Sequence, residues 1–484
     1  MAKNSSSIGK NAFFNTIKSI SSIVFPFITF PYITRVLLTD NVGKINFGTS
    51  IISYFALIAS LGINTYAIRE CSKCRDDKQK MAKVANEIFS LNIVTTLISY
   101  ALLLLTIFLI PSFENYRILI IIQSLSIMFT TLGTDWINNV MEDFGYITAR
   151  TLIFQVVSLV LMFIFVRQPD DYIKYAVIVL ISSSGSQITN MFYRRRYFKL
   201  RFTKEINFKK HLKPVLLLFS MQFAMVIYVN SDTTMLGFMK GDTEVGLYSV
   251  SVKVYNIIQT LVTAVQTVLI PQLAIGFAKK DYEKLNSLLR YAFNFMLILG
   301  LPCIMGVCLI AEGAVVILSG EAYLGSVISL RILMVALGAS FMAGYLGNLI
   351  MLPSGRDKLS FVSSLVSAIV NIVLNFILIP IFGLNAAAFT TFVSMMLGFL
   401  IKLPFVDKKL SFDFIKKDVW SPVLGCLLMV AAGYGIGLFI DGIVLKTLIQ
   451  IAVCVVVYMS VLILMKNQFF FDILAGVKKK FKRS

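Results

Sequence analysis

Histidine is all but missing: His211 stands alone in 484 residues, with only six cysteines beside it. A structural zinc centre takes about four ligands. The C-x-x-C of Cys71 and Cys74 has no second pair, so no metal site is expected. Cys303, Cys308, Cys426 and Cys454 lie in apolar runs and read as small buried hydrophobes rather than a disulfide framework. Acidic residues are scarce, 25 against 45 Lys and Arg, for a formal net charge of +20. In a soluble chain that excess points to nucleic acid; here the cations gather in a few loops, and no nucleic-acid partner is expected. No loop exceeds about 20 residues, too short for a soluble catalytic or ATPase domain. The G-x-x-x-x-G-K-[ST] phosphate loop is absent, which excludes ATP as the direct energy source. No carboxylate pair brackets a reacting site. The chain is therefore not expected to be an enzyme: it has no catalytic residues and no cofactor, with H+ or Na+ as candidate coupling ions.

What is abundant is apolar. Hydrophobic residues make up 57% of the chain, with 40 Phe, and the mean hydropathy is +0.81. Apolar runs of about 20 residues recur along the whole length, the signature of membrane-crossing helices. A β-barrel would alternate over segments of about 10 residues, and this sequence does not. The expected fold is an all-α polytopic membrane protein of about 14 transmembrane helices. Their spans are roughly 12–38, 42–66, 85–110, 116–140, 146–166, 172–193, 214–238, 246–274, 290–311, 324–352, 359–382, 385–404, 419–440 and 443–465. Lys3 and Lys10 precede the first run with no small-residue cleavage site after it, so that run reads as an uncleaved span. Basic residues crowd the loops 69–83, 194–213, 279–290, 356–358 and 408–417 and the tail 478–483. The loops between them are short and acidic or neutral, so both termini are expected to be cytoplasmic.

A repeat is visible in the second and eighth spans. Val42-Gly43-Lys44-Ile45 follows Thr34-Arg35-Val36-Leu37, and Val245-Gly246-Leu247-Tyr248 follows Asp232–Gly237. Six spans separate the two, so the units share one orientation: two six-helix parallel repeats around a central cavity. The expected division is 1–200, 201–405, and 406–484 for two additional helices and a basic tail.

Charges inside spans are the candidate site residues. The stretch Phe25–Leu38 carries Pro26 and Pro31 and, near its outer end, Arg35. Each proline removes a donor and is expected to bend the helix. An arginine costs roughly 2.5–3.5 kcal/mol at the bilayer centre, which favours a water-filled cavity over lipid. Lys18, Ser22, Thr29 and Tyr32 share an arc of about 80° on an ideal helix. Arg35, Lys18, Lys253 and Arg331 outnumber the deep acids Asp135 and Asp232, which are read as coupling or ion-pair residues; Asp232 and Lys253 could pair with each other. Excess buried cations call for an anionic ligand, a phosphate or carboxylate. Arg117, Lys174 and Lys402 lie near span ends and are expected to snorkel. Trp136, beside Asp135, Asn138, Asn139, Glu142 and Asp143, reads as an interfacial anchor, with a gate or sugar contact as the alternative.

Several segments resemble the Wzx-type polysaccharide flippases of the multidrug/oligosaccharidyl-lipid/polysaccharide exporter superfamily. They are 25–38, then Asp40–Phe47, Ser53-Tyr54-Phe55 and Ala67-Ile68-Arg69-Glu70, followed later by 232–248, Ile270-Pro271-Gln272-Leu273 and 379–388. Asn385 departs from the family's usual glycine in the last of these. The resemblance implies a cationic central cavity and a flippase moving an undecaprenyl-diphosphate-linked oligosaccharide from the cytoplasmic to the outer leaflet of a bacterial inner membrane, for O-antigen or capsule. It implies as partners the lipid-linked oligosaccharide, membrane lipids, a polysaccharide polymerase and a chain-length regulator. A cation-coupled multidrug exporter of the same superfamily is the alternative, though its cavity would favour acids. A membrane-embedded polymerase or ligase would be expected to carry a sizeable outer catalytic loop.

Overall fold

The computed structural model describes residues 2–203, 208–413 and 418–481. Lys416 and Lys417 of the expected loop 408–417, and Arg483 of the tail, lie outside them. Among the described residues the regular structure is helical throughout, with no strand. Twelve helical runs among the described residues are long and apolar enough to cross a membrane. A helix satisfies its own N–H and C=O groups, which lipid cannot do. The run Thr16–Ser72 has 57 residues, roughly 85 Å of helix, well beyond one bilayer crossing. Its main part, α1 (Ala2–Ser60), leaves helical geometry at Leu38, with φ 60 and ψ −178. Pro26 and Pro31 lie inside α1 where the backbone stays helical.

Compact packing divides the chain into 1–246 and 247–484. The first unit adds α2 (Ile63–Ser72), α3 (Lys78–Leu109), α4 (Arg117–Gly133), α5 (Trp136–Val140), α6 (Phe144–Phe165), α7 (Tyr172–Tyr193) and α8 (Phe208–Lys240), and takes in the first turn of α9 (Asp242–Lys279). One of its cores gathers Ile63, Tyr66, Cys71, Cys74, Met81, Ile88, Trp136, Ile137 and Val215. Trp136 is 3% exposed in that core, so it is no interfacial anchor. Its neighbours Asp135 and Asn138 are bonded within the protein, which draws the indole inward.

The two Val-Gly dipeptides of the repeat meet in this unit. A Cβ at Gly43 would collide with the Asp242 carbonyl, and one at Gly246 with the Thr39 carbonyl. Two backbones therefore touch, each helix supplying the glycine the other needs. Tyr116 closes the corner, its hydroxyl donating to Asp242 Oδ1 at 2.7 Å.

The second unit holds the rest of α9 with α10 (Tyr282–Phe295), α11 (Leu301–Leu309), α12 (Ala311–Ser319), α13 (Val327–Gly344), α14 (Asp357–Phe382), α15 (Leu384–Lys402), α16 (Trp420–Gly437), α17 (Ile443–Leu464) and α18 (Gln468–Phe481). Two π-helical turns interrupt it, Met296–Gly300 and Tyr345–Met351. Such turns shift the backbone register. Within the first, the Ile298 carbonyl takes the Tyr458 hydroxyl at 2.9 Å. Cys426 and Cys454 are buried here as expected, while Cys303 and Cys308 are half-buried.

The glycine crossing sets a stability test. Gly43→Ala and Gly246→Ala each overpack a backbone contact, which costs about 1–3 kcal/mol. Gly435→Ala, where a Cβ meets nothing within 4 Å, gains up to about 1 kcal/mol of helix propensity. Thermal unfolding of the detergent-solubilised variants should lower the midpoint for the first two and not for the third.

Candidate functional site

Along α1 the expected polar stripe splits between the protein interior and exposed positions. Thr29 is buried, and Tyr32 donates to the Val166 carbonyl at 2.7 Å, which fastens α1 to the end of α6. Lys18 is half-buried and Ser22 exposed. Arg35 is exposed, one guanidinium nitrogen donating to the Pro31 carbonyl at 2.8 Å. Thr34 Oγ1 reaches the Phe30 carbonyl at 2.9 Å, so side chains supply donors around the proline segment.

Asp135, a further charged site residue of this unit, is the hub of a largely buried network. Its Oδ1 accepts from Arg150 Nη2 at 2.5 Å and from Asn190 Nδ2 at 3.2 Å, and its Oδ2 from Gln187 Nε2 at 2.9 Å. Arg150, 4% exposed, also donates to the Ser186 carbonyl at 2.9 Å. Asn138 Nδ2 meets Asn190 Oδ1 at 2.6 Å. The chain enters this network because α4 stops at Thr134, which takes a left-handed φ of 50 and directs Asp135 toward α6 and α7. Sequence reasoning missed Arg150. It lies near the start of the span at 146–166, where a cation is ordinarily assigned to snorkelling.

A second buried chain centres on the lone histidine. Tyr66 Oη lies 2.8 Å from His211 Nδ1, and His211 Nε2 lies 2.8 Å from Glu87 Oε2, joining α2, α3 and α8. His211 is 0% exposed; its solitude in the sequence was the signal available. In the turn before α6, Asp143 Oδ2 accepts from the hydroxyls of Tyr193 and Tyr197, each at 2.7 Å. Burial pushes this carboxyl up, but those bonds, the Tyr146 backbone and Arg196 together hold it below its usual value.

In the second unit Arg331 lies exposed in the first turns of α13, with Nε on the Cys308 carbonyl at 3.2 Å and Nη2 3.7 Å from Glu312. Lys253 is half-buried on α9; Asp232, on α8 of the first unit, is 7% exposed. Lys402 contradicts the snorkelling expectation: it is 6% exposed at the end of α15, its ammonium close to Gly347 and Gly398. The glycines leave room for it, and that packing turns the side chain inward. Arg117 and Lys174 do keep partly exposed side chains, near Glu114 at 3.7 Å and Asp171 at 2.6 Å. Another cluster sequence reasoning did not single out joins α14 to α15. Asn375 Nδ2 donates to Asn371 Oδ1 at 3.2 Å, Thr390 Oγ1 donates to Asn375 Oδ1, and all three residues are buried. Among the described residues no group of three or more His, Cys, Asp or Glu could hold a metal ion.

Long apolar helices carrying charges that are bonded inside the protein define a polytopic membrane protein of transporter architecture. Two solved structures share the fold. The lipid II flippase MurJ in an inward closed conformation aligns with a TM-score of 0.71 at 16% identity, over 96% of this chain and 99% of that one. An inward-facing multidrug resistance MATE family transporter of the MOP superfamily aligns with a TM-score of 0.56 at 13% identity, over 82% and 93%. The chain belongs to the polysaccharide biosynthesis protein family, which it matches over residues 8–277. The resemblance to Wzx-type members of that superfamily thus holds, and these relatives are transporters rather than catalysts. Among relatives, the "Putative O-antigen transporter" of Escherichia coli (strain K12) is 22% identical over 315 residues, 62% of this chain and 75% of that protein. An uncharacterised membrane protein of Methanocaldococcus jannaschii is 22% identical over 476 residues, 90% of each chain.

The Asp135 network makes a quantitative prediction. Arg150→Leu leaves the half-buried Asp135 carboxylate without its cation and should destabilise by about 1–3 kcal/mol, between the values for exposed and fully buried pairs. The pair Asp135→Leu with Arg150→Leu removes both charges and should recover much of that loss. A double-mutant cycle on unfolding midpoints checks it; additive effects would deny the coupling.

Proposed function

We propose that this protein is a flippase carrying an undecaprenyl-diphosphate-linked oligosaccharide from the cytoplasmic to the outer leaflet of a bacterial inner membrane. The observation that carries the reading is a conjunction. The chain belongs to a polysaccharide biosynthesis family, and its described body is membrane helix joined by short connections. A chain built this way can serve polysaccharide synthesis by moving an intermediate, since no segment of it is large enough to house a soluble catalytic domain. The names of its relatives, O-antigen transporters among them, support that reading.

Arg35, Lys18, Lys253 and Arg331 are the proposed diphosphate contacts. Arginine suits the task because its planar fork takes two phosphate oxygens at once. Several modest contacts also permit release, which one tight site would not. Asp135, which is engaged by Arg150, and Asp232 are the acids proposed for H+ or Na+ coupling. A polymerase and a chain-length regulator are the proposed protein partners.

Arg35→Ala should cut glycan export by about tenfold or more at unchanged membrane abundance, and Arg35→Lys should restore part of it by returning the charge without the fork. Normal export by a stably inserted Arg35→Ala protein would remove the arginine from the mechanism.

Orientation is tested with introduced thiols. Cys71 and Cys74 are 0% and 8% exposed, so neither native thiol can report topology. Burial also pushes the Cys74 thiol up, further reducing its reactivity. Lys73→Cys and Thr243→Cys place thiols at exposed positions, and Thr243 spares the Tyr116–Asp242 bond. An impermeant thiol reagent on intact cells should modify position 243 and not 73; the reverse pattern would invert the topology.

A further inference from the structure

Beside the ends of the candidate spans Asp242–Lys279, Tyr282–Leu309 and Glu321–Met351, a cavity of about 410 Å³ opens. One wall is apolar and comes from the span ends: Ala274, Phe277, Ala278 and Ile350, continued by Pro353. The rim belongs to the connecting loops and the first residue of α10, and carries Lys280 and Arg356 with Tyr282, Ser354, Gly355 and Asp407. The volume falls in the range of about 300–1,000 Å³ usual for small-molecule sites.

The rim is built by the way two helices end. α9 closes with the Asp281 N–H on the Gly276 carbonyl at 3.0 Å, which puts Lys280 at a left-handed φ of 55. The other loop turns at Gly355, φ 76, where a Cβ would meet nothing within 4 Å. Arg356, which lines the cavity, spends one guanidinium nitrogen on the Phe405 carbonyl. Asp407 is already occupied: it accepts from Tyr282 Oη at 3.3 Å and from the Lys409 N–H at 3.0 Å. Neither Lys280 nor Arg356 has a carboxylate within ion-pair distance among the described residues. Two uncompensated cations thus stand over a pocket whose floor is hydrocarbon.

We propose that this cavity binds the phosphate head of a lipid, with Lys280 and Arg356 holding the phosphate oxygens and Phe277, Ile350 and Pro353 receiving the first carbons of the chain. The guanidinium and the ammonium match phosphate oxygens. A soluble phosphate would leave the apolar wall wet, whereas a lipid covers it. The cavity also sits at the depth where a head group meets its chain, because its lining straddles the span ends. On the flippase reading, the loops at 279–290 and 356–358 face the cytoplasm, and the site would hold the lipid-linked substrate before it crosses. A bulk anionic phospholipid carries the same chemistry and is the other source.

Native mass spectrometry of the full-length protein in detergent separates these cases, using undecaprenyl phosphate, phosphatidylglycerol and the phosphate-free alcohol undecaprenol as probes. Lys280→Gln with Arg356→Gln should weaken binding of a lipid phosphate by about tenfold and leave undecaprenol unchanged. Loss confined to undecaprenyl phosphate identifies a substrate site. Loss confined to phosphatidylglycerol, or shared by both, identifies a phospholipid site. Unchanged affinity for both phosphates overturns the proposal. Lys280→Gln alone keeps the Arg356–Phe405 bond, so weakening in that variant at an unaltered melting midpoint is not a folding defect, and Arg356→Lys should retain most of the affinity. Wild-type protein that ignores undecaprenyl phosphate but takes phosphatidylglycerol at this pocket would count against the flippase reading and leave the site standing.

Discussion

A bilayer interior offers no water to complete a hydrogen bond or to surround a charge, and the rest of this structure answers to that shortage. The backbone meets it by staying helical through nearly every described residue. Side chains meet it by turning polar groups onto carbonyls within reach. Tyr32 reaches Val166, Thr95 and Asn92 both reach Ala59, and Ser99 reaches Phe55. These bonds link helices distant in sequence, so satisfying a polar atom and fixing the packing of the bundle are here one event.

Charge follows the same rule at higher stakes. Arg150 is held in the interior because Asp135 and the Ser186 carbonyl receive its donors. Removing one member of such a pair costs more than removing both, so the network acts as a unit. His211 with Glu87 and Tyr66 is a second unit of this kind, placed where α2, α3 and α8 come together. Arg35, Arg331 and Arg356 differ, since each is exposed and bonds a backbone carbonyl, and Lys280 is exposed as well. That contrast separates the buried cation that holds helices together from the exposed ones, which include those proposed above to meet a ligand.

Glycine supplies the complementary device. The contact of Gly43 with Asp242, and of Gly246 with Thr39, brings two backbones together without side chains between them. Gly347 and Gly398 instead make room for the buried Lys402. The same residue type thus serves close approach in one unit and accommodation of a long side chain in the other.

Several features were legible in the sequence because they depend on local chemistry. Apolar run length predicts membrane helices, since the span needed is set by bilayer thickness. The Val-Gly dipeptides stood out as a repeat, whereas the close backbone approach at their glycines is visible only in the packing. Trp136, Lys402 and Arg150 were misread or missed for a shared reason: position along a span says how deep a residue lies, not which neighbour it faces. Trp136 sits in a core with Ile63 and Tyr66, and Arg150 finds Asp135 fifteen positions back in the chain. The break at Leu38 rather than at the prolines is likewise a product of packing. The sequence by itself determined that the chain is helical, membrane-spanning and rich in deep cations, because hydrophobicity and charge are properties of single residues. Only the tertiary structure decided which cations are buried against a carboxylate, as Arg150 is, and which lie exposed, because pairing needs two side chains from different helices at one distance.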